Sequence, residues 1–217
     1  MSQLLRPVRT SQPQQPVQID WTNPLARGLV DAWIPASILP GRVGSVPLAF
    51  TPSGVAASTS GSTYLFRNSV SGSFSLAESS LTAILTPDTP STASVYAACY
   101  GSSASGNPLF MIGQGGTTNQ VGFRTRDAAN VDVATAATDA DWAQGKTAIL
   151  TGTRSAIAAL QRVYINGRQI ASTAVGTPAA TTFDRFAIGG LLRSTFALGW
   201  AGRTGLVLVH NRALSAA

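Results

Sequence analysis

Asn166-Gly167 is the feature that most narrows what this chain can fold into. It lies inside Arg162–Ser172, which reads RVYINGRQIAS, so that two strand-like runs meet at the pair. Both residues tolerate positive φ, and a type I′ turn built on them matches the right-handed twist of the strands it joins. A β-hairpin is therefore predicted there. Other β-prone runs surround it, at Gly28–Ile34, Leu81–Leu85, Val95–Tyr100, Leu109–Ile112, Gln120–Arg126 and Lys146–Thr151. In Gln120–Arg126, Val121 and Phe123 alternate with Arg124 and Arg126, the period-two pattern of a half-buried strand. Turn chemistry separates the runs: Pro87-Asp88, Gly106-Asn107-Pro108 and the GQGG of Gly113–Gly116. Short strands at this spacing, with no long helical period, predict an all-β sandwich.

The 217 residues fit one such domain and can bury a core without staples. Only 11% of them are charged, so the surface is polar but weakly charged. Lys146 is the only lysine and Glu78 the only glutamate; arginine carries the net charge of +6. Arg27, Arg42, Arg67, Arg124, Arg126 and Arg154 are scattered along the chain. That suits forked hydrogen bonds to carboxylates and carbonyls better than a phosphate track, and nucleic acid is not the expected partner. Cys99, the only cysteine, rules out an internal disulfide and a cysteine metal site, and it fits a reducing compartment and a place in the core. The N-terminus lacks the apolar region of a signal peptide, and no apolar run approaches the roughly 20 residues of a spanning helix. The expectation is a protein made and assembled in a host cytoplasm, with no membrane partner.

Residues 1–18 are set apart from the domain expected over 19–217. Pro7, Pro13 and Pro16 disfavour helix and sheet interior, which predicts an extended arm. Two readings stand side by side: a disordered tail, or an arm that reaches a neighbouring subunit through Leu4, Leu5, Arg6, Val8 and Arg9.

Three C-terminal pieces, RVYINGRQIAS, FDRFAIGG (Phe183–Gly190) and WAGRTGLVLVHNRALS (Trp200–Ser215), together resemble the second half of a laminin-G-like, concanavalin A-like jelly roll. In that family a YVNG hairpin, an IGG strand and a closing strand ending NRALS follow in this order. Leu81–Leu85 and Lys146–Thr151 take the places of two further family strands, with Arg154-Ser155 at the position of a family Asp-Gly turn. The opening NPLARGLVDAWIP is similar to laminin-G-like proteins encoded by tailed phages and prophages. The resemblance spans about Gly28 to Ser215. It implies a two-sheet antiparallel jelly-roll sandwich, here with an extended N-terminal arm. One departure is that Gly205 and Leu206 replace an acidic pair of the closing strand and Leu208 an outward polar residue. In strict alternation, Leu206, Leu208 and His210 share one face and Val207 and Val209 the other. A strand apolar on both sides is covered on both sides, so Leu206 and Leu208 are predicted to mark an assembly surface.

Chemistry is sparse. Glycoside hydrolysis usually needs two flanking carboxyls, whereas Glu78 has no acidic neighbour. Asp139 and Asp141, and Asp127 with Asp132, read as turn and cap residues rather than calcium ligands. His210, the only histidine, replaces the family's aromatic at a strand end and reads as structural. GQGG lacks the Lys and helix of a phosphate loop. Trp33 and Trp200 read as core; Trp142, in DADWAQG, is the one credible sugar platform, although the laminin-G-like family often has a structural tryptophan at this place.

By resemblance and elimination the expected protein is a non-enzymatic structural component of a tailed-phage virion. The specific expectation is a cement protein that decorates the capsid surface, binding the major capsid protein and neighbouring copies of itself, with no cofactor. The alternative is a carbohydrate-binding, lectin-like module of a phage tail or bacterial surface protein, using Trp142 and the loops around Gly113–Asn119 and Asp139–Gly145. A polysaccharide-degrading enzyme is the third and weakest reading.

Overall fold

Asn166 and Gly167 adopt φ of 50° and 82°, as a type I′ turn requires. The turn is locked from outside as well. The Asn166 side chain accepts from the Ile149 N–H at 3.0 Å, and its own N–H donates to the Ile149 carbonyl at 2.8 Å. The predicted hairpin is thus present and is tied to a third strand. The computed structural model describes residues 22, 26–33, 49–50, 57–58, 65–68, 75–88, 93–103, 108–192 and 196–214. The N-terminal arm, with Leu4, Leu5, Arg6, Val8 and Arg9, lies outside the described residues.

Two antiparallel sheets make a jelly-roll sandwich. The first runs β1 (Leu29–Trp33), β16 (Gly202–His210), β5 (Glu78–Pro87), β10 (Ala148–Ser155), β11 (Leu160–Ile165) and β12 (Arg168–Ala174), with β3 (Ala57–Ser58) also pairing β16. The second runs β2 (Ala49–Phe50), β4 (Leu65–Asn68), β13 (Arg185–Ile188), β6 (Val95–Gly101), β7 (Leu109–Gln114), β8 (Gln120–Arg126) and β9 (Asp132–Thr138). A short hairpin of β14 (Leu191–Leu192) and β15 (Phe196–Ala197) stands apart.

Alternation supplies the core. Leu81, Ala83 and Leu85 of β5, Leu150 of β10, Val163 and Ile165 of β11, and Val207 and Val209 of β16 face inward from the first sheet. Phe110 and Ile112, Val121 and Phe123, and Phe186 and Ile188 meet them from the second. Tyr100 centres an aromatic group, its ring 4.5 Å from Phe186 and 5.9 Å from Phe183. Its hydroxyl donates to the buried Asp31 carboxylate of β1 at 2.8 Å, which ties the two sheets across the core. Cys99 is buried in a second, smaller cluster with Tyr96, Leu109, Met111 and Leu191.

Two elements differ from expectation. β9 was not anticipated, because Ala and Thr carry it and its inward Thr135 meets a polar partner rather than an apolar one. β10 runs on to Ser155, so Arg154-Ser155 is the end of a strand rather than a turn; the reversal falls at Ala156–Ala159, with Ala159 at φ 52°. Arg154 can sit inside the sandwich because its guanidinium donates to the Thr125 hydroxyl at 2.6 Å and the Gly176 carbonyl at 3.1 Å. Burial lowers its pKa, against the opposing influence of Asp127.

Gly152 of β10 sits directly against the Phe123 ring, and a Cβ there would lie 2.1 Å from a ring carbon. Gly152→Ala is expected to destabilise the fold by about 1–3 kcal/mol through overpacking, read as a lower midpoint in urea unfolding with an unchanged slope.

Candidate functional site

β8 presents its two arginines together because Val121, Phe123 and Thr125 are all fixed inward. Arg124 and Arg126, two residues apart, therefore project from the outer face of the second sheet. The Asp127–Val131 turn brings β9 back alongside, and Asp132 pairs directly with Arg126. The turn is itself capped by Asp127, whose carboxylate accepts from the Val131 N–H at 2.9 Å and the Ala179 N–H at 2.8 Å.

Both arginines converge on Asp132. Arg124 Nε donates to Oδ1 at 2.8 Å and its Nη2 donates to Oδ2; Arg126 donates to Oδ2 through Nε at 3.0 Å and Nη2 at 2.5 Å. The three side chains keep 28%, 19% and 29% exposure, so the cluster is neither buried nor freely solvated. Burial alone would raise the Asp132 pKa, but the hydrogen bonds from the two arginines outweigh it and hold the carboxyl below its usual range. The hydrogen bond with Asp132 raises Arg124 in turn. Behind Arg124 lies Tyr96 of β6, buried and hydrogen-bonded to Arg124 and Ser94; burial pushes its phenol up against the lowering effect of Arg124. The arrangement offers a fixed pair of planar donors beside one acceptor, which suits recognition of a small polar or anionic group.

At the opposite end of the same strands, Arg168 beside the Asn-Gly turn reaches Asp139 at 2.7 Å and Asp141 at 3.6 Å. Asp139 also accepts from the Asp141 N–H at 2.9 Å, the cap role expected of it. Desolvation tends to raise its pKa, but these hydrogen bonds leave it lowered. Among the described residues no group of three His, Cys, Asp or Glu side chains could hold a metal ion.

Trp142 is not a sugar platform in this structure. It is 1% exposed and stacks on Trp200, with ring centroids 5.7 Å apart and planes inclined by 21°. The reason is local. The Trp142 N–H donates to the Asp139 carbonyl at 3.1 Å and the Gly145 N–H to the Pro87 carbonyl at 2.7 Å, so the loop turns back on the sandwich and drives the indole into the core. Trp200 is core as expected, and His210 is buried at the end of β16.

Leu206 and Leu208 lie on the outer face of the first sheet, half-buried and outside both apolar clusters, while Val207 and Val209 point inward. A bulge between Thr204 and Val207 sets this phase. Ile84 and Ile149 share the outer face, between the hydroxyl pairs Thr82–Thr151 at 3.0 Å and Thr86–Thr147 at 2.8 Å. The sequence singled out Leu206 and Leu208 but not the Arg124–Asp132–Arg126 cluster. The signal was available: two arginines alternating with apolar residues, then an aspartate six residues after the second.

The two antiparallel sheets define a concanavalin A-like jelly-roll sandwich. Residues 57–217 match the laminin G-type profile described as the Concanavalin A-like lectin/glucanases superfamily, and the chain belongs to that family. No curated protein matches it. Among solved structures, it is similar to the NanB sialidase from Streptococcus pneumoniae (K499G mutant), with 16% identity, a TM-score of 0.56, and coverage of 69% of this chain and 26% of that one. The Ruminococcus gnavus IT-sialidase CBM40 bound to α2,3 sialyllactose matches with 15% identity and a TM-score of 0.55, over 65% of this chain and 80% of that one. A leech intramolecular trans-sialidase matches with 16% identity and a TM-score of 0.52, over 69% and 26%. The chain spans about a quarter of the sialidases it matches. At these identities the likeness is one of fold.

Trp142→Ala is expected to act as a core deletion, costing about 3–5 kcal/mol in chemical unfolding. A variant that keeps wild-type stability would show the indole to be dispensable to the core.

Proposed function

We propose that this chain is a carbohydrate-binding, lectin-like module with no catalytic role of its own. The observation that carries this reading is the partly exposed Arg124–Asp132–Arg126 cluster, backed by Tyr96, on the outer face of the second sheet. It presents two planar charged donors side by side on β8, as recognition of a polar sugar group needs, on a sandwich whose structural neighbours include a CBM40 bound to sialyllactose. The described carboxylates support binding over hydrolysis, because each is already an acceptor or an ion-pair partner. Glu78 accepts from the Ser155 hydroxyl at 2.9 Å and the Ile157 N–H at 3.1 Å, Asp31 from Tyr100, Asp184 from Ser103, and Asp88 lies 3.7 Å from Arg203.

The test is a glycan array followed by calorimetric titration of the best binder. Arg124→Ala is expected to weaken binding about 10- to 100-fold, the equivalent of one or two charge-assisted hydrogen bonds, while the protein stays folded. Binding unchanged by Arg124→Ala would move the site elsewhere on the sandwich.

A second reading, the capsid-decoration role, draws on the outer face of the first sheet, where Leu206, Leu208, Ile84 and Ile149 gather. There the chain would pack against a capsid protein or another copy, with the arginines meeting acidic patches. This reading expects self-association in sedimentation velocity that Leu206→Ser/Leu208→Ser abolishes. A monomer at all concentrations, with or without the substitutions, would count against assembly between copies through this face.

A further inference from the structure

Two guanidinium groups, those of Arg124 and Arg126, converge on the Asp132 carboxylate in a partly exposed patch. Asp132 is also the member best placed to give way. It opens β9, the edge strand of its sheet, directly after the Asp127–Val131 turn, whereas Arg124 and Arg126 are held by β8, paired on both sides. Arg124 is further braced by the buried Tyr96. The pair is thus a rigid cradle shaped for a carboxylate, occupied by one that the protein supplies itself.

We propose that the ligand of this face is an anionic sugar bearing a carboxylate, which takes over hydrogen bonds from Arg124 and Arg126 that Asp132 now accepts, and that Asp132 sets the affinity by competing for them. The proposal rests on the glycan-binding reading and deepens it. The chemistry favours an acid over a neutral sugar: a hydroxyl cannot displace a carboxylate from two charged donors, but another carboxylate can. Planar forks also suit a carboxylate better than a point charge would.

The experiment is calorimetric titration of the full chain with 3′-sialyllactose and with lactose, which differ by the acidic residue. Sialyllactose is expected to bind at least tenfold more tightly, with the difference shrinking as salt rises from low to physiological and higher concentration. Arg126→Ala should remove most of that preference. Asp132→Asn, which keeps the shape and removes the competing charge, should tighten sialyllactose several-fold and leave lactose unchanged. Thermal melts of each variant report folding; should Arg126→Ala unfold, the salt dependence of the unsubstituted chain carries the same test. Equal binding of the two sugars overturns the acidic preference and leaves the glycan-binding reading standing. Weaker sialyllactose binding by a folded Asp132→Asn overturns the competition and makes Asp132 a positioning residue. No binding of these sugars, or of a broad panel of neutral and acidic glycans, overturns both this proposal and the reading beneath it.

Discussion

The seat of Phe123 on the bare backbone of Gly152 is the contact on which the rest of the sandwich depends. It brings the two sheets together at the centre of β8 and β10, with no Cβ to hold them apart. It also fixes the phase of β8. Once Phe123 is inward, Val121 and Thr125 must be inward too, and Arg124 and Arg126 must be outward, because side chains alternate along a strand. The candidate site is therefore a consequence of core packing. The same step that buries an aromatic ring aims two guanidinium groups at the surface.

Near Thr125 the interior changes character. Its hydroxyl accepts from Arg154 and donates to Gln161 at 2.8 Å, and the Gln161 amide reaches the Phe123 and Val133 carbonyls and the Thr135 hydroxyl. Thr135 continues the network to Thr173 at 2.8 Å. Such a layer is costly unless its members are satisfied, and here it replaces apolar packing as the attachment of β9 to the sandwich. β9 needs that attachment, since its outer residues are small and exposed. The polar layer attaches the inner face of this edge strand, and the Arg–Asp cluster lies on its outer face.

Legibility in the sequence followed this division. Where apolar residues alternate, as in β8 and β16, or where turn chemistry is strong, as at Asn166-Gly167, the local signal and the fold agree. Where a polar layer stands in for the core, they part. β9 has no hydrophobic pattern to read, and Arg154 looked like a turn residue because a charged side chain inside a sandwich is legible only from its partners. Missing β9 also hid the site, since Asp132 reaches Arg126 only if a strand returns beside β8. Trp142 failed for another reason: a tryptophan in a polar loop reads as exposed until backbone bonds to Asp139 and Pro87 are known to fold it onto Trp200.

The charge pattern separates two kinds of acid in this molecule. Asp127 and Asp139 accept backbone N–H groups and hold loops, so their ionisation serves the fold. Asp132 accepts no backbone donor among the described hydrogen bonds; its partners are two side chains, on a face the sandwich does not need to close. A surface ion pair of this exposure adds little to stability, because solvent screens it and side-chain entropy opposes it. Two arginines on one such carboxylate are a poor investment in folding alone. Their worth lies in preorganisation: the donors stand in place before a ligand arrives, so binding need not order them, and the strand behind them is already fixed by Phe123.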